Sequence, residues 1–212
     1  MSVKGFRFKQ ADIGKFNTCD ADLVANTLSG NDRVLGLTMG KFSLIDLIHS
    51  IIKKIGRSDV TICTWSAGIK DAHQVKWMLD TDLINNFRMV TDHSYKTRQK
   101  KYALCIEDMI GIENIRTSEV HAKFVLIRNE KYNISIRTSM NLNANKTCET
   151  FEIDNDLEIY EFYNGFVSHL FEDMEKGFIT QSYKVNKSLK KFFDDESQEE
   201  QTNKNKQWWS ES

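Results

Sequence analysis

The residues whose types and spacing suit chemistry stand close together in this chain, beginning at His121-Ala122-Lys123-Phe124-Val125-Leu126-Ile127. On a strand, residues two apart share a face. That spacing predicts a strand over 121–128 with His121 and Lys123 projecting together. A second segment, Thr138-Ser139-Met140-Asn141-Leu142, follows a strand expected at 134–138. With Asn129-Glu130-Lys131-Tyr132-Asn133 as the hairpin turn, Ser139 and Asn141 return beside His121 and Lys123. Glu149 precedes a further strand at 151–153 and adds a carboxylate to the same edge.

These five side chains suit phosphoryl transfer. An imidazole serves as nucleophile or proton carrier near neutral pH. The Lys123 ammonium and the Asn141 amide hold non-bridging oxygens as charge develops. The Glu149 carboxylate orients the imidazole through its other ring nitrogen. No step asks for a metal, and the sequence shows no metal-ligand spacing: it has no HExxH and no CxxC. Cys19, Cys63, Cys105 and Cys148 are widely spaced, which predicts reduced thiols acting as small hydrophobes in a cytoplasmic protein.

HxK followed by SxN and a downstream Glu resembles the phospholipase D superfamily, whose signature is HxKxxxxD followed by GSxxN or GSxN. The resemblance is strongest over 114–153, and a compatible strand–helix pattern runs over 33–175. It implies that His121 is the nucleophile, that Lys123 binds phosphate, and that Ser139, Asn141 and Glu149 complete the site, with no metal and no cofactor. Two positions depart from the pattern: Arg128 stands where the family has Asp, and Thr138 where it has Gly. The interval between the half-motifs is also longer, which the 129–133 turn accommodates. Family enzymes use two facing motifs, and this chain has one. It is thus similar to the short endonuclease branch, which implies a homodimer with a phosphohistidine intermediate. The expected activity is that of a metal-independent nuclease. The alternative is a degenerate member that binds nucleic acid without turnover, which Arg128 favours. A lipid phosphodiesterase is disfavoured by the short chain, the single motif and the lack of an amphipathic membrane face.

The densest basic run, Lys96-Thr97-Arg98-Gln99-Lys100-Lys101, reads as a contact for nucleic-acid phosphates, with DNA favoured over RNA. Lys96, Arg98, Lys100 and Lys101 are its candidate residues. Tyr95 and Tyr102 flank it; of the two, Tyr102 is assigned to the core.

The elements that must position these groups alternate. Strands are expected at 33–39, 59–65 and 87–91, with helices near 43–56, 71–80 and from 95 onward. More strands follow at 114–120 and through the hairpin. The last strong element is a helix whose stripe Ile159, Phe162, Tyr163, Phe166, Val167, Leu170, Phe171 and Met174 reads as core, with His169 at the surface. This order predicts one α/β domain with a mixed, largely parallel sheet flanked by helices on both sides. The domain is expected over 31–193, after a capping segment at 1–30 and before a disordered acidic and polar tail at 194–212 that carries Trp208 and Trp209. The chain has 212 residues and a net charge of −1, which excludes coating of nucleic acid by bulk charge. No apolar run is long enough to span a membrane, and the first six residues hold no signal-like core, so a soluble cytoplasmic protein is expected.

Overall fold

The computed structural model describes residues 20–28, 33–143, 146–180 and 186–194. The expected tail beyond residue 194 and most of the expected N-terminal segment lie outside these residues. The part of that segment that is described forms a helix, α1 (Ala21–Thr27), capped by the Asp20 side chain.

Seven strands form one sheet: β1 (Arg33–Met39), β2 (Ser58–Thr64), β3 (Ile84–Asp92), β4 (Ile115–Ser118), β5 (Phe124–Arg128), β6 (Asn133–Thr138) and β7 (Cys148–Asn155). Their order is β1-β7-β6-β5-β2-β3-β4. Only β2–β3 and β3–β4 pair in parallel, while β1–β7, β7–β6, β6–β5 and β5–β2 are antiparallel. The expectation of a largely parallel sheet is therefore corrected: the sheet is mixed and mostly antiparallel. Parallel neighbours need a long crossover. Helices α3 (Ile69–Asp80) and α5 (Lys100–Ile110) supply it between β2, β3 and β4. Beyond β4 the connections to β5 and β6 are too short for a helix, and the strands reverse.

Helix α2 (Leu44–Ile55) shows how local sequence sets an element. Ser43 and Asp46 form a reciprocal capping box, and the chain ends the helix at Gly56, whose φ of 93° suits glycine. Leu44, Ile45, Leu47, Ile48, Ile51 and Ile52 are all buried. They join a core on one sheet face with Val60, Ile62, Met89, Val125, Ile127, Ile134, Ile136, Phe151 and Ile153. The alternate strand residues Cys63, Val90, Phe124 and Leu126 face the other way, onto α6 (Leu157–Asp173). Helices thus cover both faces, as expected.

Three expected elements differ in detail. The helix from residue 95 is broken at Gln99, giving a single turn α4 (Tyr95–Arg98) and then α5. β5 begins at Phe124, so His121 and Lys123 lie in the segment leading into the strand. The apolar stripe of α6 is not wholly core. Tyr160, Val167 and Leu170 are buried, while Phe162 is 58% exposed. Phe166 and His169 instead meet Phe192 of α7 (186–194), and His169 Nε2 lies 3.0 Å from the Ser188 carbonyl. His169 is therefore half-buried beneath α7. A helix wedged between a sheet and a second helix needs a wider apolar face than either contact alone.

Gly36 stands opposite Phe151 across β1 and β7. A Cβ at Gly36 would fall 2.1 Å from the Phe151 ring carbon Cζ. Gly36→Ala is expected to cost about 1–3 kcal/mol through overpacking, read as a lower midpoint in chemical denaturation. Leu37→Ala, at an exposed neighbour, should change stability by less than about 0.5 kcal/mol. Equal effects would refute the close-packing account.

Candidate functional site

The sheet edge that matters is formed by the carboxyl ends of β2, β3 and β4, the start of β5, the end of β6 and the start of β7. Ligands of open α/β sheets gather at such carboxyl ends. All five residues singled out in the sequence stand along this edge.

The approach to β5 is anchored from below. Cys63 Sγ donates to the Ala122 carbonyl at 3.6 Å, and Thr138 N–H donates to the Lys123 carbonyl at 3.1 Å. Burial pushes the Cys63 thiol up, opposed by the nearby Lys123 ammonium, so this cysteine remains a thiol and not a nucleophile. Lys123 Nζ donates to the His121 carbonyl at 3.0 Å, which folds the lysine back over the histidine. The His121 side chain is exposed, with its ring 5.7 Å from the ring of Trp65.

Ser139 and Glu149 meet across β6 and β7. Ser139 Oγ donates to Glu149 Oε2 and accepts from Thr150 N–H at 3.0 Å; Thr147 Oγ1 donates to Glu149 Oε1 at 3.1 Å. Thr138, in the position where glycine was expected, uses its hydroxyl to bond the Thr150 carbonyl at 2.7 Å and to accept from Met140 N–H at 3.0 Å. Its side chain thereby shapes the turn that presents Ser139. Asn141 is carried by the next link. Leu142 bridges to Ala67, Gly68 N–H donates to the Leu142 carbonyl at 2.7 Å, and the buried Thr64 hydroxyl accepts from Leu142 N–H at 3.1 Å. Asn141 Oδ1 lies 3.5 Å from Thr64 Oγ1.

The arrangement falls into two groups. Ser139 and Glu149 are in direct contact, and His121, Lys123 and Asn141 gather around the end of β2. The bond expected from Glu149 to the imidazole is not made: among the described residues His121 and Glu149 share no hydrogen bond. Among these residues no three His, Cys, Asp or Glu side chains converge to hold a metal ion. Of the expected thiols, Cys63 is buried, Cys105 is half-buried and Cys148 is exposed, all three free, while Cys19 lies outside the described residues.

The basic run does not act as one patch. Lys96 is turned inward, with Nζ 2.9 Å from the Phe178 carbonyl and 3.4 Å from Glu107 Oε1. Lys100 and Lys101 are exposed at the start of α5. Arg98 reaches toward the motif. Its guanidinium carbon sits 3.8 Å from the Trp65 ring centroid, and Nη2 donates to the Trp65 carbonyl at 3.1 Å. The tyrosines are the reverse of the expectation: Tyr95 is fully buried and Tyr102 is 45% exposed. The break at Gln99, with φ −136° and ψ 50°, interrupts the helical phase between the two tyrosines.

Arg128 stands at the far end of β5. It lies five positions along the chain from Lys123, about 16 Å at the usual rise. There it pairs with Glu161 at 2.7 Å and lies over the Tyr160 ring. Sequence reasoning missed Thr64 and Trp65. The signal was available: they end the β-branched strand Asp59-Val60-Thr61-Ile62-Cys63, at the carboxyl edge of a parallel pair.

No protein-family model matches the sequence, and no curated protein matches it. Solved structures are similar in fold. One is a phospholipase D family member, Nuc from Salmonella typhimurium, at 10% identity, covering 69% of this chain and 98% of that one, with a TM-score of 0.49. Another is NucT from Helicobacter pylori, at 17% identity, 69% and 100% coverage and a TM-score of 0.49. A third is the polyphosphate kinase of Porphyromonas gingivalis, at 14% identity, covering 68% of this chain and 26% of that one, with a TM-score of 0.50. At such identities the likeness is one of fold.

The Tyr95 hydroxyl donates to the Ala67 carbonyl at 2.8 Å, which steadies the strand extension that bridges to Leu142. Burial raises its pKa to about 12, with the Arg98 guanidinium opposing. A raised acid favours its neutral form in the fold. The resulting stabilisation is complete below about pH 10, the ordinary tyrosine value, and is lost as pH rises toward 12. Ultraviolet titration should show one tyrosine ionising near pH 12 that vanishes in Tyr95→Phe, and that variant should lose about 1 kcal/mol. An unchanged titration curve in the variant would contradict the assignment.

Proposed function

We propose that this phospholipase D-like chain is a metal-independent phosphodiesterase, and specifically a nuclease that works through a phosphohistidine at a homodimeric site. The single observation that carries the reading is the placement of His121. Its imidazole is exposed at the carboxyl edge of the sheet, with the Lys123 ammonium folded over its backbone carbonyl. The sequence resemblance and the fold likeness support the same class. One of the similar structures is named as a phospholipase D family member, and another, TrmBL2, is described as an archaeal chromatin protein that binds DNA.

In the proposed reaction the neutral His121 imidazole attacks phosphorus. The nitrogen–phosphorus bond forms as the bond to the leaving oxygen breaks, and Lys123 and Asn141 hold the non-bridging oxygens. The leaving oxygen takes a proton from the partner's His121, which in the second step removes a proton from water. The hydroxide attacks phosphorus and releases His121. One chain offers one such histidine, so two copies related by a twofold axis supply both roles. Ser139 and Glu149, already bonded, form the adjacent wall. Lys100 and Lys101 are the proposed contacts for more distant backbone. Arg128 lies outside this edge in an ion pair with Glu161, so the departure from the family pattern at that position argues little for loss of turnover. Among the described residues no helix is long and apolar enough to cross a membrane.

Cleavage of DNA or RNA is expected in excess EDTA, and His121→Ala should lower kcat at least ~10³-fold while leaving KM nearly unchanged. Activity that disappears in EDTA and returns with Mg²⁺ would overturn the mechanism. A wild type that binds nucleic acid but cleaves none between about pH 5 and 8 would leave binding without turnover as the function. Sedimentation should show a dimer, and a monomer at every concentration, with and without substrate, would remove the two-histidine site.

A further inference from the structure

We infer that Arg98, held against Trp65, is a subsite for the phosphate flanking the one that His121 attacks, so that the site favours a polyanionic strand over an isolated phosphodiester. The inference rests on the phosphodiesterase reading above and adds what the substrate must carry beside the scissile bond.

Three contacts immobilise the guanidinium. Its carbon lies 3.8 Å from the Trp65 ring centroid, Nη2 donates to the Trp65 carbonyl at 3.1 Å, and Nε donates to Ser94 Oγ at 3.0 Å. Ser94 Oγ in turn donates to Asp92, so the carboxylate of this network reaches the arginine only through a hydroxyl. Among the described residues no carboxylate lies within ion-pair distance of Arg98, and Nη1 makes no hydrogen bond. The other described arginines differ. Arg33, Arg57, Arg128 and Arg137 each pair with a carboxylate, and Arg88 and Arg116 are half-buried or buried. An exposed guanidinium that is fixed by stacking, keeps donors in hand and has no counter-ion is preorganised for an anion.

Its position selects which anion. The Trp65 ring contacts both Arg98 and His121, its centroid 3.8 Å from the guanidinium carbon and 5.7 Å from the imidazole centroid. The guanidinium is therefore no farther from the imidazole than those two separations laid end to end, a span that one nucleotide of backbone bridges. Shared contact with Trp65 holds the guanidinium and the imidazole within that span. A lipid headgroup or a simple diester offers nothing to Arg98, whereas a nucleic-acid strand presents a second phosphate there.

The test is a substrate series. A dinucleotide carries only the scissile phosphodiester, and longer substrates add one phosphate on either side in turn. In the wild type one of the two additions should raise kcat/KM about tenfold, chiefly through KM, as a charge-assisted bidentate contact would. Arg98→Gln should reduce that gain to within about twofold, and Arg98→Lys should restore part of it. The salt dependence of single-strand binding should also flatten in Arg98→Gln, by about 0.7 in the logarithmic slope. A gain that persists in Arg98→Gln, or an equal loss on the dinucleotide and the longer substrates, would overturn the subsite. If the wild type cleaves neither substrate, the catalytic reading fails on its own. Binding of a twelve-nucleotide single strand then decides the subsite: a loss of about tenfold in Arg98→Gln with the flatter slope sustains it, and unchanged affinity refutes it.

Discussion

The register of β5 against β6 is the constraint on which the rest of this molecule depends. Phe124 stands opposite Arg137 and Ile127 opposite Ile134, and the Thr138 to Lys123 hydrogen bond extends the ladder into the functional segment. A slip of one residue would turn every side chain of β5 to the other face. Both faces are buried here, so such a slip would expose Val125 and Ile127 to the α6 side and send Phe124 and Leu126 into the α2 side. Close packing of differently shaped side chains, with Phe124 against Tyr163 on one face and Val125 and Ile127 in the α2 core on the other, favours one register, and that register places Lys123 beside Thr138. The next ladder continues the chain of consequence: Thr138 opposes Phe151, which brings Ser139 to Thr150 and Glu149.

A charge network reads the same register on the part of the sheet nearest β1. Arg33 stands opposite Asp154, and Arg137 opposite Glu152. Arg33 Nε lies 2.6 Å from Asp154 Oδ1, and Arg137 Nη2 lies 2.9 Å from Glu152 Oε1 and also pairs with Asp154. Asp154 is buried. Without both arginines it would be an uncompensated buried charge, typically a loss of about 3–5 kcal/mol. Any other pairing of β1, β6 and β7 would leave it so, which makes the network a check on strand order as well as a contribution to it.

The candidate edge joins two kinds of architecture. On one side are parallel strands with helical crossovers, whose carboxyl ends supply Thr64, Trp65 and, through α4, Arg98. On the other is an antiparallel meander, whose loops supply His121, Lys123 and Ser139 and whose strand β7 supplies Glu149. The Ala67–Leu142 bridge ties the two together and is itself steadied by the Tyr95 hydroxyl.

Much of this was legible in the sequence, because it depends on local chemistry. The capping box Ser43–Asp46, the run of buried isoleucines after it, strand β1 at 33–39 and the spacing of His121, Lys123, Ser139, Asn141 and Glu149 are all properties of neighbours along the chain. What sequence could not decide was how strands distant in sequence pair. Periodicity marks which face of a strand is apolar, but parallel and antiparallel partners bury that face equally well, so the sheet read as largely parallel when it is mostly antiparallel. The same limit hid the roles within the basic run. Lys96, Arg98, Lys100 and Lys101 look alike as consecutive cations, and only the break at Gln99 and the packing of Tyr95 beneath Ala67 turn Lys96 onto Glu107 and Arg98 onto Trp65. Residue type and spacing determined the chemistry this chain can offer. Which groups meet was set by tertiary structure, because contacts between distant segments follow from burial shared across the whole sheet.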